Sequence, residues 1–584
     1  MTKLSRITFF SIALLGISAV IGDIKSCEPI NEAILNTVKN TDNVPPCHCY
    51  HNGNAVNSAW IGCNGQTLPV VFKTLNVLNE TDINQLTIWN SLINILPSDM
   101  FIKVRPTRIS ITGSSLGVFR DGVFDKVGTR LKHLVLNNNI IRTIDPLLLK
   151  ETVNLEVLDL SHNNLVALPN ATFYALKRMQ RLNLQNNQLT TIPDGVFSQM
   201  KELHTLDLSN NKITNITKDS FRGLESLEVL RLSGNTLTNI HPEAFTPLKS
   251  LKKLVLSKNR LNKVTIHGLP NLETIFLNNN LFKQISNAVL RDLPALKVLC
   301  FDRNQITKIT TKDFVNLKKS SHLMSITLAE NKIKDIDGNA FEPVQQITSL
   351  SLQNNALTSL TSASDHVAYL APLRNVNSLF LSGNQLTEIC DEQLTPLTAL
   401  SDLSLDRNKI TKIEKGAIRG LALKKLFLND NALYALPDGL FDDLSDQLQV
   451  IDLSGNNWQC VCSGWLNVWL NRHQAANLPT SSLGCLDVPC TDEELEEMKS
   501  VWWTVLIVGL TTVIAFCAIA AFILVIGEIR RYWRTAPARH VVFSDKERLI
   551  SESISFPNPM NLSPPPAASK SILKNPLPKP PAER

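Results

Sequence analysis

LEVLDLSHNNL at residues 155–165, MQRLNLQNNQL at 179–189, LHTLDLSNNKI at 203–213 and LEVLRLSGNTL at 227–237 share one frame, apolar at positions 1, 4, 6 and 11 and asparagine at position 9. The ninth-position asparagine recurs from Asn139 to Asn456, most often 24 residues apart. Two weaker copies carry Ser91 and Ser114 in its place, giving about sixteen repeats. In the frame's L-x-L core, successive side chains point to opposite faces, so each repeat offers a short strand with its leucines inward. One repeat cannot bury that edge alone; stacked repeats build a continuous core. The asparagine amide can donate to and accept from backbone groups where the chain turns inside the stack. Ten residues after it comes a phenylalanine, at Phe124, Phe173, Phe197, Phe221, Phe245, Phe314, Phe341 and Phe441, which predicts a packed aromatic spine behind the strands.

The frame LxxLxLxxNxL, running from about residue 83 to 458, resembles the leucine-rich-repeat family. The resemblance implies an α/β solenoid, a horseshoe of about sixteen repeats with a parallel sheet on its concave face. Cys27, Cys47, Cys49 and Cys63 precede the array, and Cys460, Cys462, Cys485 and Cys490 follow it. Both sets contain C-x-C and resemble the disulfide-bonded caps of extracellular members, such as Toll-like receptor or Slit-type ectodomains. In those caps the first cysteine pairs with the third and the second with the fourth. Carried over, this implies Cys27–Cys49, Cys47–Cys63, Cys460–Cys485 and Cys462–Cys490. Spacing alone leaves the connectivity open. Cys47, Cys49, His51 and Cys63 also match a zinc-ligand set, which a secretory compartment disfavours, and neither metal nor cofactor is expected. Cys300 and Cys390 stand almost four repeats apart, about 15–20 Å at strand spacing, and should not pair.

The compartment follows from two apolar segments. Lys3 and Arg6 precede the apolar run Ile7–Ala19, the pattern of a signal peptide over residues 1–22. Residues 501–527 carry no charge, enough for a membrane-spanning helix with some tilt, and Cys517 lies within it. Arg530, Arg531, Arg534 and Arg539 follow, which places the C-terminus in the cytoplasm and predicts a single-pass type I plasma-membrane protein. The formal net charge of +6 is uneven: residues 528–584 contribute +5, the signal peptide +2, and the span between them −1. The basic excess therefore sits beside the membrane, which argues against nucleic-acid binding. The expected order is signal peptide, cysteine-rich N-terminal cap (23–82), repeats (83–458), C-terminal cap and stalk (459–500), membrane helix and Pro-rich cytoplasmic tail (528–584).

No G-x-S-x-G, H-E-x-x-H or P-loop is present, so the chain does not read as an enzyme. Function falls to the concave surface, where the residue between the two strand leucines points out. Val255, Phe276 and Cys300 give three consecutive apolar places there, with Phe380 and Phe427 further on and Arg231, Lys253, Lys258 and Arg303 around the first group. An exposed aromatic patch with a basic rim is the composition of a protein-binding hot spot. Asn79, Asn170 and Asn215 head glycosylation sequons. The 29-residue interval between Asn355 and Asn384, which contains TSASDHVAYLAPL, predicts a loop on the convex side. In the tail, Asp545 with Leu549 and Ile550 resembles a dileucine sorting signal read by a clathrin adaptor, and Pro578-x-x-Pro581 is a minimal ligand for a polyproline-binding domain.

These readings converge on a cell-surface recognition or adhesion receptor that binds an extracellular protein or glycoconjugate, with homophilic or co-receptor contact as a further form of partnership. The other classes are a scaffold or co-receptor without its own soluble ligand, and a shed, non-catalytic subunit of a secreted complex.

Overall fold

The computed structural model describes residues 27–38, 46–51, 59–78, 83–444 and 447–458. The signal peptide, Asn79, Cys460, Cys462, Cys485, Cys490, the 501–527 segment and the tail motifs at Asp545, Leu549, Ile550 and Pro578 lie outside them. Among the described residues no helix is long and apolar enough to cross a membrane.

The repeats stack as a parallel-sheet solenoid. Most repeats form a three-residue strand at the start of the LxL segment, as at Val157–Asp159, Arg181–Asn183 and Thr205–Asp207, paired in parallel with the next. Register holds like with like. Leu158, Leu182, Leu206, Leu230 and Leu254 are successive partners, so the inward side chains form one file through the core. All five are at most 1% exposed. Among the described residues eighteen strands join in this sheet.

The N-terminal end differs. Helix α1 (Glu28–Thr37) precedes β1 (Cys47–His51), which runs antiparallel to β2 (Ala59–Asn64). Helix α2 (Leu68–Val77) leads to β3 (Gln85–Trp89), where the parallel stacking begins. Cys27–Cys49 and Cys47–Cys63 are disulfides, with Cα separations of 5.4 and 4.2 Å. This is the connectivity the caps of the resembled family imply, and it takes up all three sulfurs of the zinc-ligand alternative. Disulfides of this kind belong to an oxidising compartment. Cys300 and Cys390 are free.

The return arm of each repeat is less helical than an α/β solenoid suggests. Its regular pieces are single 3-10 turns, such as Pro146–Leu149, Val315–Leu317 and Glu342–Val344, and short parallel pairs such as Asn215–Ile216 with Asn239–Ile240. Prolines at 169, 193, 242 and 247 interrupt these arms. A proline inside a helix removes a hydrogen bond and clashes with the preceding turn. Among the described residues the two α-helices both lie N-terminal to β3.

Two internal ladders hold the stack. Asn211 Nδ2 donates to the carbonyls of Leu184, at 2.9 Å, and Leu208, at 3.1 Å, while its Oδ1 accepts from Leu189 N–H at 3.0 Å. Asn187, Asn235 and Asn259 repeat the pattern one period apart. Behind the strands, Phe173 and Phe197 stack with ring centroids 6.0 Å apart, as do Phe221 and Phe245. The long interval after Asn355 does form a loop, closed by a bridge between Thr361 and Ala368. Buried Tyr369 anchors it by donating its hydroxyl to the Ser359 carbonyl at 3.0 Å.

Candidate ligand-binding face

The outward face of the long sheet carries the residues between the inward leucines. Arg231, Val255, Phe276 and Cys300 are successive Cα partners on four adjacent strands, so the repeat frame places these four expected residues side by side. Arg231, Val255 and Phe276 are half-buried. Lys253, two residues before Val255, places its ammonium 5.2 Å from the centroid of the Phe276 ring. Cations are attracted to the negative face of an aromatic ring at this range. Among the described residues Lys253 has no carboxylate partner, whereas Arg231 Nε lies 3.9 Å from Asp207 Oδ2. The neighbouring row neutralises itself: Lys132 with Glu156 at 2.9 Å, Lys252 with Glu228 at 2.8 Å and Lys297 with Glu273 at 3.1 Å. An apolar and cationic centre thus remains between ion pairs that cancel.

Four expected members behave differently. Cys300 is 6% exposed and belongs to the floor of the face rather than its contact surface. Burial pushes its thiol pKa up, against a hydrogen bond with Thr327 on the next strand. Next to it, Asp302 Oδ2 accepts from Asn278 Nδ2 at 3.1 Å and Thr327 Oγ1 at 2.9 Å, while Oδ1 accepts from Ala329 N–H at 2.8 Å. This network closes over the sulfur's neighbourhood, which the leucine-frame reading does not reveal. Burial holds the Asp302 carboxyl above the usual range, and the hydrogen bonds from Thr327 and Ala329 oppose that shift.

Arg303 sits at the position before the ladder asparagine, where the backbone turns left-handed, with φ of 55°. The same turn recurs at Asn186, Asn210, Lys258, Arg407 and Gly234. Asparagine and glycine accept it readily, and other residues do so where the surrounding structure requires it. There Arg303 Nη2 donates to Glu330 Oε1 at 2.8 Å, so its charge is already paired. Phe380 and Phe427 are half-buried on the same face, but the strands at 298–300, 325–327 and 349–351 separate them from Phe276. Of the sequon asparagines, Asn170 and Asn215 are exposed.

A sequence profile for the leucine rich repeat matches in overlapping segments across 107–357 and again over 374–433, more than half of the chain. The chain belongs to the leucine-rich-repeat family. Among curated relatives it is 34% identical over 209 residues to the P-granule-associated novel protein 1 of Caenorhabditis elegans, covering 33% of this chain and 35% of that protein. It is 35% identical over 187 residues to Tsukushi of Gallus gallus, covering 31% of this chain and 48% of that one. The match thus spans about a third to a half of these leucine-rich-repeat relatives. Among solved structures it is similar to the TLR13–ssRNA13 complex, with a TM-score of 0.57 and 21% identity over 70% of this chain and 55% of that one. The Toll–Spatzle complex gives a TM-score of 0.57 and 20% identity over 71% and 57%. At these identities the structural likeness speaks for the fold.

Proposed function

We propose that this leucine-rich-repeat chain is a non-catalytic, cell-surface recognition protein that binds another protein through the outward face of its long sheet. The observation that carries the reading is the Lys253–Phe276 pair, flanked by Val255 and Arg231 on adjacent strands. It combines a held aromatic ring, an aliphatic neighbour and a cation without a carboxylate partner among the described residues. Aromatic and arginine-rich centres surrounded by polar residues are where binding energy concentrates in protein interfaces. A partner segment that presents an apolar side chain beside an acidic one fits this centre. The two disulfides agree with exposure outside the reducing cytosol.

The same reading includes a membrane span at 501–527, a cytoplasmic tail with the Asp545, Leu549 and Ile550 sorting signal, and glycans at Asn79, Asn170 and Asn215. Phe276→Ala should weaken binding to a partner captured from a native cell surface by about 2 kcal/mol or more. Lys253→Glu should weaken it as well, and chiefly at low salt. Surface plasmon resonance with the full-length protein measures both. Affinity unchanged by either substitution would move the binding site off this face.

A further inference from the structure

The first three strands carry an aromatic group that the leucine frame does not explain. On β1 and β2 the cysteines and Ile61 face the core, and His48, Tyr50 and Trp60 take the outward places; Trp89 does so on β3. Tyr50 and Trp60 stack with centroids 4.3 Å apart and planes 19° apart, and His48 meets the edge of Tyr50 at 4.9 Å. Between them stands Gly62. A Cβ there would lie 2.8 Å from Trp60 Cζ3, 3.0 Å from Tyr50 Cε2 and 3.1 Å from Trp89 Cη2, so only glycine lets the three rings converge over the strand. The core beneath is complete without them: Ile61, Cys63, Leu86 and Ile88 are all 0% exposed. Rings that are half-buried, mutually braced and unnecessary to the core form a platform at the surface. No other tryptophan occurs between Trp89 and Trp458, so the concentration is local to this end of the sheet.

The surrounding chemistry selects the occupant. The strands at 47–51, 59–64, 85–89, 108–112 and 133–135 contain neither Asp nor Glu, while Arg108 lies on the strand next to β3. On these strands an ammonium guest would meet no carboxylate and one arginine. Amides and hydroxyls stand beside the rings instead. Gln85 is the Cα partner of Trp60 and Asn64 that of Trp89, and Gln85 Nε2 donates to Thr87 Oγ1 at 2.9 Å. A pyranose ring matches this combination: its C–H face is weakly positive and apolar, suited to an aromatic face, and its equatorial hydroxyls reach amides and hydroxyls at the rim. We propose that the Tyr50–Trp60–Trp89 platform over Gly62 is a binding site for a neutral saccharide, separate from the Phe276 centre and independent of it.

The test titrates the full-length protein, held in lipid nanodiscs, with mannohexaose, cellohexaose and chitohexaose, with binding followed by saturation-transfer NMR. A proline-rich decapeptide and tetramethylammonium serve as alternative probes. At least one hexasaccharide should bind, and Trp60→Ala and Trp89→Ala should each weaken it about 10-fold or more, with Trp60→Phe within about threefold of wild type. Phe276→Ala should leave it unchanged, which separates this site from the protein-binding reading. If the alanine variants do not fold, Trp60→Leu keeps apolar bulk without a π-face and should show the same loss. Absence of saccharide binding by the wild type, binding unaltered in the tryptophan variants, or binding of the peptide or tetramethylammonium in preference to all three sugars would overturn the proposal.

Discussion

Phe221→Ala should destabilise the protein by about 3–5 kcal/mol, the usual cost of deleting a fully buried aromatic side chain. Phe221 is 0% exposed and stacks on Phe245 with ring planes 11° apart, so the substitution removes both its buried apolar surface and a packed ring neighbour. Its place mid-array matters as much as its size. Each repeat in a solenoid is held by its own contacts and by those to its two neighbours, so a void there weakens two interfaces at once. Urea unfolding followed by circular dichroism measures the loss. Phe221→Leu, which refills much of the space, should recover more than half of it. Equal losses for alanine and leucine would mean that the spine does not act through packing.

Asn211→Ala should cost about 2–3 kcal/mol, from hydrogen bonds rather than volume. The amide serves the Leu184 and Leu208 carbonyls and the Leu189 N–H, all buried. Alanine strands the Leu189 N–H and takes one of two amide donors from each carbonyl, since Asn187 still donates to Leu184 and Asn235 to Leu208. A buried polar group stripped of its hydrogen bond costs about 1–3 kcal/mol. The first two repeats supply an internal comparison. Ser114 Oγ donates to the Thr112 carbonyl and accepts from Ser91 N–H, two hydrogen bonds where Asn211 makes four, the fourth to the Ser209 carbonyl. Asn211→Ser should therefore fall between wild type and Asn211→Ala in the same unfolding experiment. A serine variant no better than alanine would show that shape, not hydrogen bonding, holds the ladder.

The ladders were legible because each is periodic: one residue type recurring every 24 positions has one structural place, and both asparagine and phenylalanine fill theirs. The strand register was legible for the same reason. What escaped the frame lies where local geometry departs from periodicity. Cys300 occupies an outward place on its strand, yet the hydrogen bonds among Asn278, Asp302 and Thr327 cover its surroundings, an arrangement set by three repeats together. Arg303 carries a formal charge that reads as free until the left-handed turn aims it at Glu330. The platform at Tyr50, Trp60 and Trp89 precedes or opens the repeats, so the LxxLxLxxN count passes over it. Its signal was available in CHCYH, AWIGCN and QLTIW, where bulky aromatics alternate with core residues.

The measurement that bears most directly on a recognition role for the sheet face is site-directed photo-crosslinking on living cells. A photoreactive phenylalanine analogue at position 276 sits beside Lys253 and Val255 on that face, and the same analogue at position 222 replaces exposed Arg222 outside the sheet strands. Irradiation should join the chain to a discrete protein partner from position 276 and not from position 222, and Lys253→Glu should diminish the product. Equal yields from both positions, or a product from position 222 alone, would contradict a binding site on the strands around Phe276.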